Sequence, residues 1–152
     1  MYKLTKDGKT IVGNNEDFLS PNSQFWFETA GKNPYGVLYM GQLNDFAQGA
    51  INEAGLMFDG FAMPFLEVKN TAGKTKMSLG QMMSKVMHSY ATVEEVKIFL
   101  STVDLGGLTT GMVVFVDKTG KYLIVEGDEL IIGNEAEHSF SNYYPSQTKA
   151  EE

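Results

Sequence analysis

Asn14, Asn15, Glu16 and Asp17 follow one another in the stretch TIVGNNEDF, and Asn142 lies in FSNYYP near the other end of the chain. Carboxylates can aim an amine or take a proton, and a carboxamide can donate to a developing oxyanion. The same residue types are common in turns, where their side chains capture backbone groups, so the residues alone leave both roles open. Other candidates are few. His88 falls beside the apolar face of a helical pattern and reads as a structural histidine. His138, in NEAEHSFSN, has near neighbours Glu135 and Glu137 but not the spacing of a metal motif. With no cysteine, these 152 residues hold no disulfide, thiolate metal site or cysteine nucleophile. Met82, Met83 and Met87 read as core filling rather than a substrate channel. The pairs Glu94-Glu95 and Glu151-Glu152 read as solvated faces.

The elements that must carry these residues follow from period and punctuation. YKLTKDGKTIVG reads as a hairpin, with Asp7-Gly8 supplying positive φ at the turn. SQFWFETAG, YGVLYMG and GAINEAGLMFDGFAMP read as further strands, the last bent at Gly55, with Asn52 and Glu53 as turn residues. The period then changes. Ser78 with Gln81, and Thr92 with Glu95, form capping boxes ahead of two helices. Leu79, Met82, Met83, Val86, Met87 and Tyr90 make one apolar face at helical spacing. GMVVFV and YLIVE follow as strands around a turn at Asp117 to Gly120, then a short strand at Leu130 to Ile132, with FSNYYP as a candidate last strand. The near-continuous apolar runs call for burial on both faces. Strands, then helices, then strands give an α+β domain over 1–152, with helices layered on a largely antiparallel sheet.

The bulk numbers narrow the partners. Twelve lysines, no arginine and nineteen acids leave a formal charge of −7, which argues against nucleic acid. No apolar stretch reaches membrane-span length, and MYKLTKDGK is not a signal peptide, so no membrane partner is expected.

Three ordered stretches resemble the N-terminal-nucleophile hydrolases of the choloylglycine hydrolase, penicillin V acylase and acyltransferase group. They are TKDGKTIVGNNEDF, INEAGLMFDG, and FVDKTGKYLIVEGD followed by FSNYYP. The resemblance implies an αββα four-layer sandwich and hydrolysis of linear amide C–N bonds in N-acyl compounds, without metal or organic cofactor. An α-amino group of pKa near 7.7–8.0 can serve as the base in such a site. By position, Asp17 resembles the family aspartate that holds that amine, and Asn142 the asparagine of the oxyanion hole. Asn14 stands where bile-salt-type members carry an arginine, and an amide supplies no cation there. Position 1 is Met rather than the nucleophilic Cys, so the expectation is a chain truncated at both ends and inactive alone. The alternative is a non-catalytic α+β ligand-binding domain. In either case uncovered sheet faces point to a homo-oligomer.

Overall fold

A computed structural model describes residues 1–16, 21–42 and 46–147. The chain opens with the hairpin of β1 (Tyr2–Lys6) and β2 (Lys9–Gly13). Asp7 and Gly8 take φ of 51° and 71°, so both turn residues occupy the left-handed region that a tight two-residue hairpin requires. An antiparallel sheet follows in chain order from β3 (Ser23–Glu28), β4 (Val37–Gln42), β5 (Phe46–Asn52) and β6 (Met57–Ala62). Helices α1 (Leu79–Ser89) and α2 (Val93–Leu100) intervene, and β7 (Gly111–Val116), β8 (Tyr122–Glu126) and β9 (Glu129–Gly133) complete the seven strands. The last strand, β10 (Glu137–Ser139), leaves this sheet and pairs with β1, giving a three-stranded sheet β10-β1-β2.

Alternation along β7 and β8 sorts the core into two slabs. Val113, Phe115, Leu123 and Val125 pack with Met82, Val86, Val96 and Leu100 of the helices. Met112, Val114, Val116, Tyr122 and Ile124 pack on the other side with Phe140, Tyr144 and Val12. Burial on both faces, expected from the unbroken apolar runs, follows from this stacking. The order of layers is therefore helices, large sheet, small sheet: an α+β sandwich with three of the four layers expected. The outer face of the small sheet bears Tyr2, Leu4 and Ile11 in the open, where a second helical layer would lie.

Both capping boxes form. The Ser78 and Thr92 hydroxyls accept from the Gln81 and Glu95 amides, while the Gln81 and Glu95 side chains return the bond to Ser78 N and Thr92 N. Glu95 thus caps a helix rather than merely facing solvent. Asn52 does more than turn the chain. Buried, it donates to Met87 O and Tyr90 O at 2.8 Å each and accepts from Ala54 N and Leu56 N. It ties the β5–β6 turn to the end of α1. Leu79 departs from the expected apolar face and is 44% exposed; as the first residue of α1 it precedes the turn that packs. FSNYYP is not a strand: β10 ends at Ser139, its register with β1 closing at the Tyr2–Ser139 pair, and Phe140–Pro145 forms a loop.

Candidate functional site

The register of the small sheet assembles the site. Tyr2 is paired with Gly13 on one side and Ser139 on the other. The next residues outward, Asn14 and Phe140, therefore flank Met1. The Met1 amine donates to Phe140 O at 3.0 Å, and Phe140 N donates back to Met1 O at 2.8 Å. This pins the start of the chain beside Ser141 and Asn142. Met1, Asn14, Glu16 and Asn142 all line a cavity of about 1060 Å³ that also reaches Trp26, Tyr39, Phe58 and Met83 near the helices. Asn14 and Asn142 are thus brought together at the N-terminus. Asp17 lies outside the described residues.

The polar groups are differently engaged. Asn142 Nδ2 donates to Ala62 O at 2.8 Å, which leaves its second N–H available. Asn14 Nδ2 donates to Glu16 Oε1 at 2.8 Å, and Gln48 Nε2 donates to Glu16 Oε2 at 2.9 Å. Two carboxamides therefore hold the Glu16 carboxylate at the cavity wall. Asp59, on β6, points between the two sheets as Met57 and Phe61 do, and is 2% exposed. Neither of its oxygens has a well-formed hydrogen bond. Burial, followed by the nearby Glu16 carboxylate, pushes its pKa up to about 7; the Met1 amine and the Gly60 N–H pull the other way. A buried carboxyl facing another acceptor favours its protonated form, so Asp59 tends to hold its proton.

The far end of the cavity is aromatic with a polar corner. Trp26 stacks on Tyr39 at 5.5 Å. The Tyr39 hydroxyl, near Ser84, makes no well-formed hydrogen bond, and burial followed by the Glu28 charge pushes its pKa up to about 12. Glu28 Oε2 meets His88 Nε2 at 2.9 Å, while His88 Nδ1 is 2.7 Å from Tyr35 O. A carbonyl only accepts, so Nδ1 carries a proton. His88 is thus a buried bridge between α1 and the β3–β4 connection, in keeping with its structural reading. His138 instead stacks on Tyr122 at 4.7 Å and packs against Phe140, behind the cavity lining rather than in it. Met82, Met83 and Met87 are core, although Met83 also touches the cavity. Among the described residues, no group of three or more His, Asp or Glu is arranged to hold a metal, and no helix is long and apolar enough to cross a membrane.

Sequence reasoning passed over Asp59, Glu16, Tyr39 and Glu28 as separate site residues. The signal for Asp59 was an acid in the apolar run MFDGF at the same alternation as Met57 and Phe61. An inward-facing acid in a strand is a cost that demands a reason.

Comparison with known proteins supplies the wider context. The pattern described as linear amide C-N hydrolases, choloylglycine hydrolase family, matches residues 5–143. An arginine-to-leucine variant of conjugated bile acid hydrolase from Clostridium perfringens superposes with a TM-score of 0.70 at 25% identity. The match covers 95% of this chain and 54% of that one. A cysteine-to-alanine variant of the same enzyme gives 0.69 at 25% identity, covering 94% and 53%. Penicillin V acylase from Agrobacterium tumefaciens gives 0.74 over 96% of this chain and 53% of its own, and at 16% identity it speaks for the fold alone. The chain therefore spans about half the length of the solved structures it matches. No curated protein sequence matches significantly. With the family pattern extending over nearly all of its residues and the fold in agreement, this chain belongs to the choloylglycine hydrolase family of linear amide C–N hydrolases.

Proposed function

We propose that the cavity is the wall of an N-acyl amide hydrolase site of the N-terminal-nucleophile type, and that these 152 residues do not turn over an amide by themselves. The observation that carries this reading is the meeting of the chain start, Asn14 and Asn142 around one cavity. In such a site Asn142 would donate its free N–H to the oxyanion of the tetrahedral intermediate, and Asp17 would hold the amine of the nucleophile residue. Asn14 buttresses Glu16 in this structure, so its part in catalysis would be positioning. Thiol attack needs a cysteine, and the chain has none; a nucleophile would have to come from outside these residues.

The test has two arms. The purified chain should leave a fluorogenic N-acyl amide intact, and turnover in a contaminant-free sample would refute the claim of inactivity. A form extended to begin with cysteine should be labelled by a thiol-directed acyl probe. An unlabelled, folded extension would refute the assignment of the site.

A second reading, a self-associating binding domain, has its own support. Phe25 and Phe27 stand on edge strand β3, 70% and 73% exposed, with their rings edge to face at 6.1 Å. An exposed apolar edge strand invites pairing. Light scattering coupled to gel filtration would separate a monomer from a homo-oligomer.

A further inference from the structure

The aromatic end of the cavity holds polar groups that the chemistry at the chain start does not use. Trp26 and Tyr39 are cross-strand partners on β3 and β4, and Glu28 follows two residues after Trp26. All three side chains therefore leave the same face of the large sheet. Helix α1 faces them with Met83 and Ser84, and these five residues line the cavity together with Phe58. Tyr39 is 5% exposed, and its hydroxyl has no well-formed hydrogen bond. Glu28 Oε2 meets His88 Nε2, and Oε1 remains as a further acceptor. A buried phenol hydroxyl ordinarily finds a partner, and one left without it is costly. Burial also keeps Tyr39 protonated, with its pKa pushed up to about 12, so it is a donor at neutral pH.

We infer that the cavity selects acyl groups bearing an aromatic ring with a hydroxyl at the end remote from the amide, and that Tyr39, with Ser84 and Glu28 beside it, reads that hydroxyl. The ring would lie against Trp26 and Phe58. A hydroxyl there accepts from the Tyr39 O–H and donates to the Glu28 carboxylate, so one guest atom serves both. A methyl group in its place fills the space and leaves the phenol unpaired. Tyr39 is thus a specificity-determining residue and takes no part in breaking the bond. The polar residues at the other end, Asn14, Glu16 and Gln48, are left for the amine portion. This inference rests on the amide-hydrolase reading and adds the acyl class to it.

Binding tests it without requiring turnover. Butyl amides of phenylacetic and 3-phenylpropanoic acid serve as probes, each with a hydroxyl or a methyl group on the ring para to the acyl chain. The two chain lengths span the reach from the amide to the corner. A purely apolar pocket prefers the methyl probe, because the hydroxyl is better solvated in water. In calorimetry on the intact chain at pH 7, the hydroxyl probe of one length or both should instead bind about tenfold tighter than its methyl counterpart. It should also change the fluorescence of Trp26, which stacks on Tyr39. Tyr39→Phe, with its fold checked by urea unfolding, should bring the preference below about threefold. Methyl probes that bind as tightly or tighter at both lengths, or no binding of either hydroxyl probe, would overturn the inference in the unaltered protein. So would a hydroxyl preference that leaves Trp26 emission unchanged, or one that survives Tyr39→Phe. The two readings fail separately. Hydroxyl preference with an unlabelled cysteine-first form strikes only the hydrolase assignment, and a labelled form without that preference strikes only the subsite.

Discussion

Replacing Asp59 with asparagine should stabilise the protein at alkaline pH and leave it nearly unchanged in acid. The carboxyl is raised from 3.8 to about 7 because folding buries it and brings Glu16 near. A folded state that binds the proton more tightly than the unfolded chain loses stability as pH rises from the unfolded value to the folded one. Here that window runs from about pH 4 to about pH 7. At about 1.36 kcal/mol for each tenfold change in proton affinity, the full displacement corresponds to ~4 kcal/mol. Asparagine keeps the shape and does not titrate. The stability gap between variant and wild type should therefore open from near zero at pH 4 to roughly 2–4 kcal/mol at pH 8. Urea unfolding followed by the fluorescence of Trp26, the one tryptophan, measures both proteins at each pH, and their difference cancels the titrations of groups that do not sense Asp59. A gap that does not change with pH, or a variant less stable at pH 8, would refute the account of Asp59 as a buried, like-charge-strained acid.

Three further outcomes follow from the packing and the site. Asn142→Ala in the cysteine-first form should slow acyl transfer by about 10²–10³ through loss of an oxyanion donor, read as a fall in kcat with little change in KM. Asn52→Ala should cost about 2–3 kcal/mol, because it strips two donors and two acceptors from buried backbone; chemical denaturation checks it. Gly133→Ala should cost about 1–3 kcal/mol by overpacking, since a Cβ there would run into the Tyr122 ring; a thermal melt showing no loss would contradict the close approach of β9 to that ring.

Local signals were the legible part of this sequence. Asp7-Gly8, the two capping boxes and the doubled apolar runs each specify a conformation through interactions a few residues apart, and each appears in the fold. FSNYYP misled because aromatic content favours a strand while pairing depends on a neighbour, and beyond Ser139 the neighbouring strand ends. That Asn14 and Asn142 line one cavity has no local signal in the sequence, since nothing local specifies that β10 returns to β1. Asp59 was invisible for a related reason. An acid between Phe58 and Gly60 looks like a strand-end residue until a second sheet closes over it and Glu16 comes close. Residue 17 lies outside the described part of the chain, and its role stays with the resemblance.

The two-slab core has a consequence for how the molecule breathes. Strands β7 and β8 are clamped from above and below, whereas β3 has Trp26 and Tyr39 beneath it and Phe25 and Phe27 facing water. Amide hydrogens should thus exchange with solvent along a gradient, slowest in the centre of β7 and β8 and fastest at β3. The cavity reaches toward the fast-exchanging margin through Trp26 and Glu28, so the aromatic end can widen to admit a bulkier guest while the stiff middle of the sheet holds still.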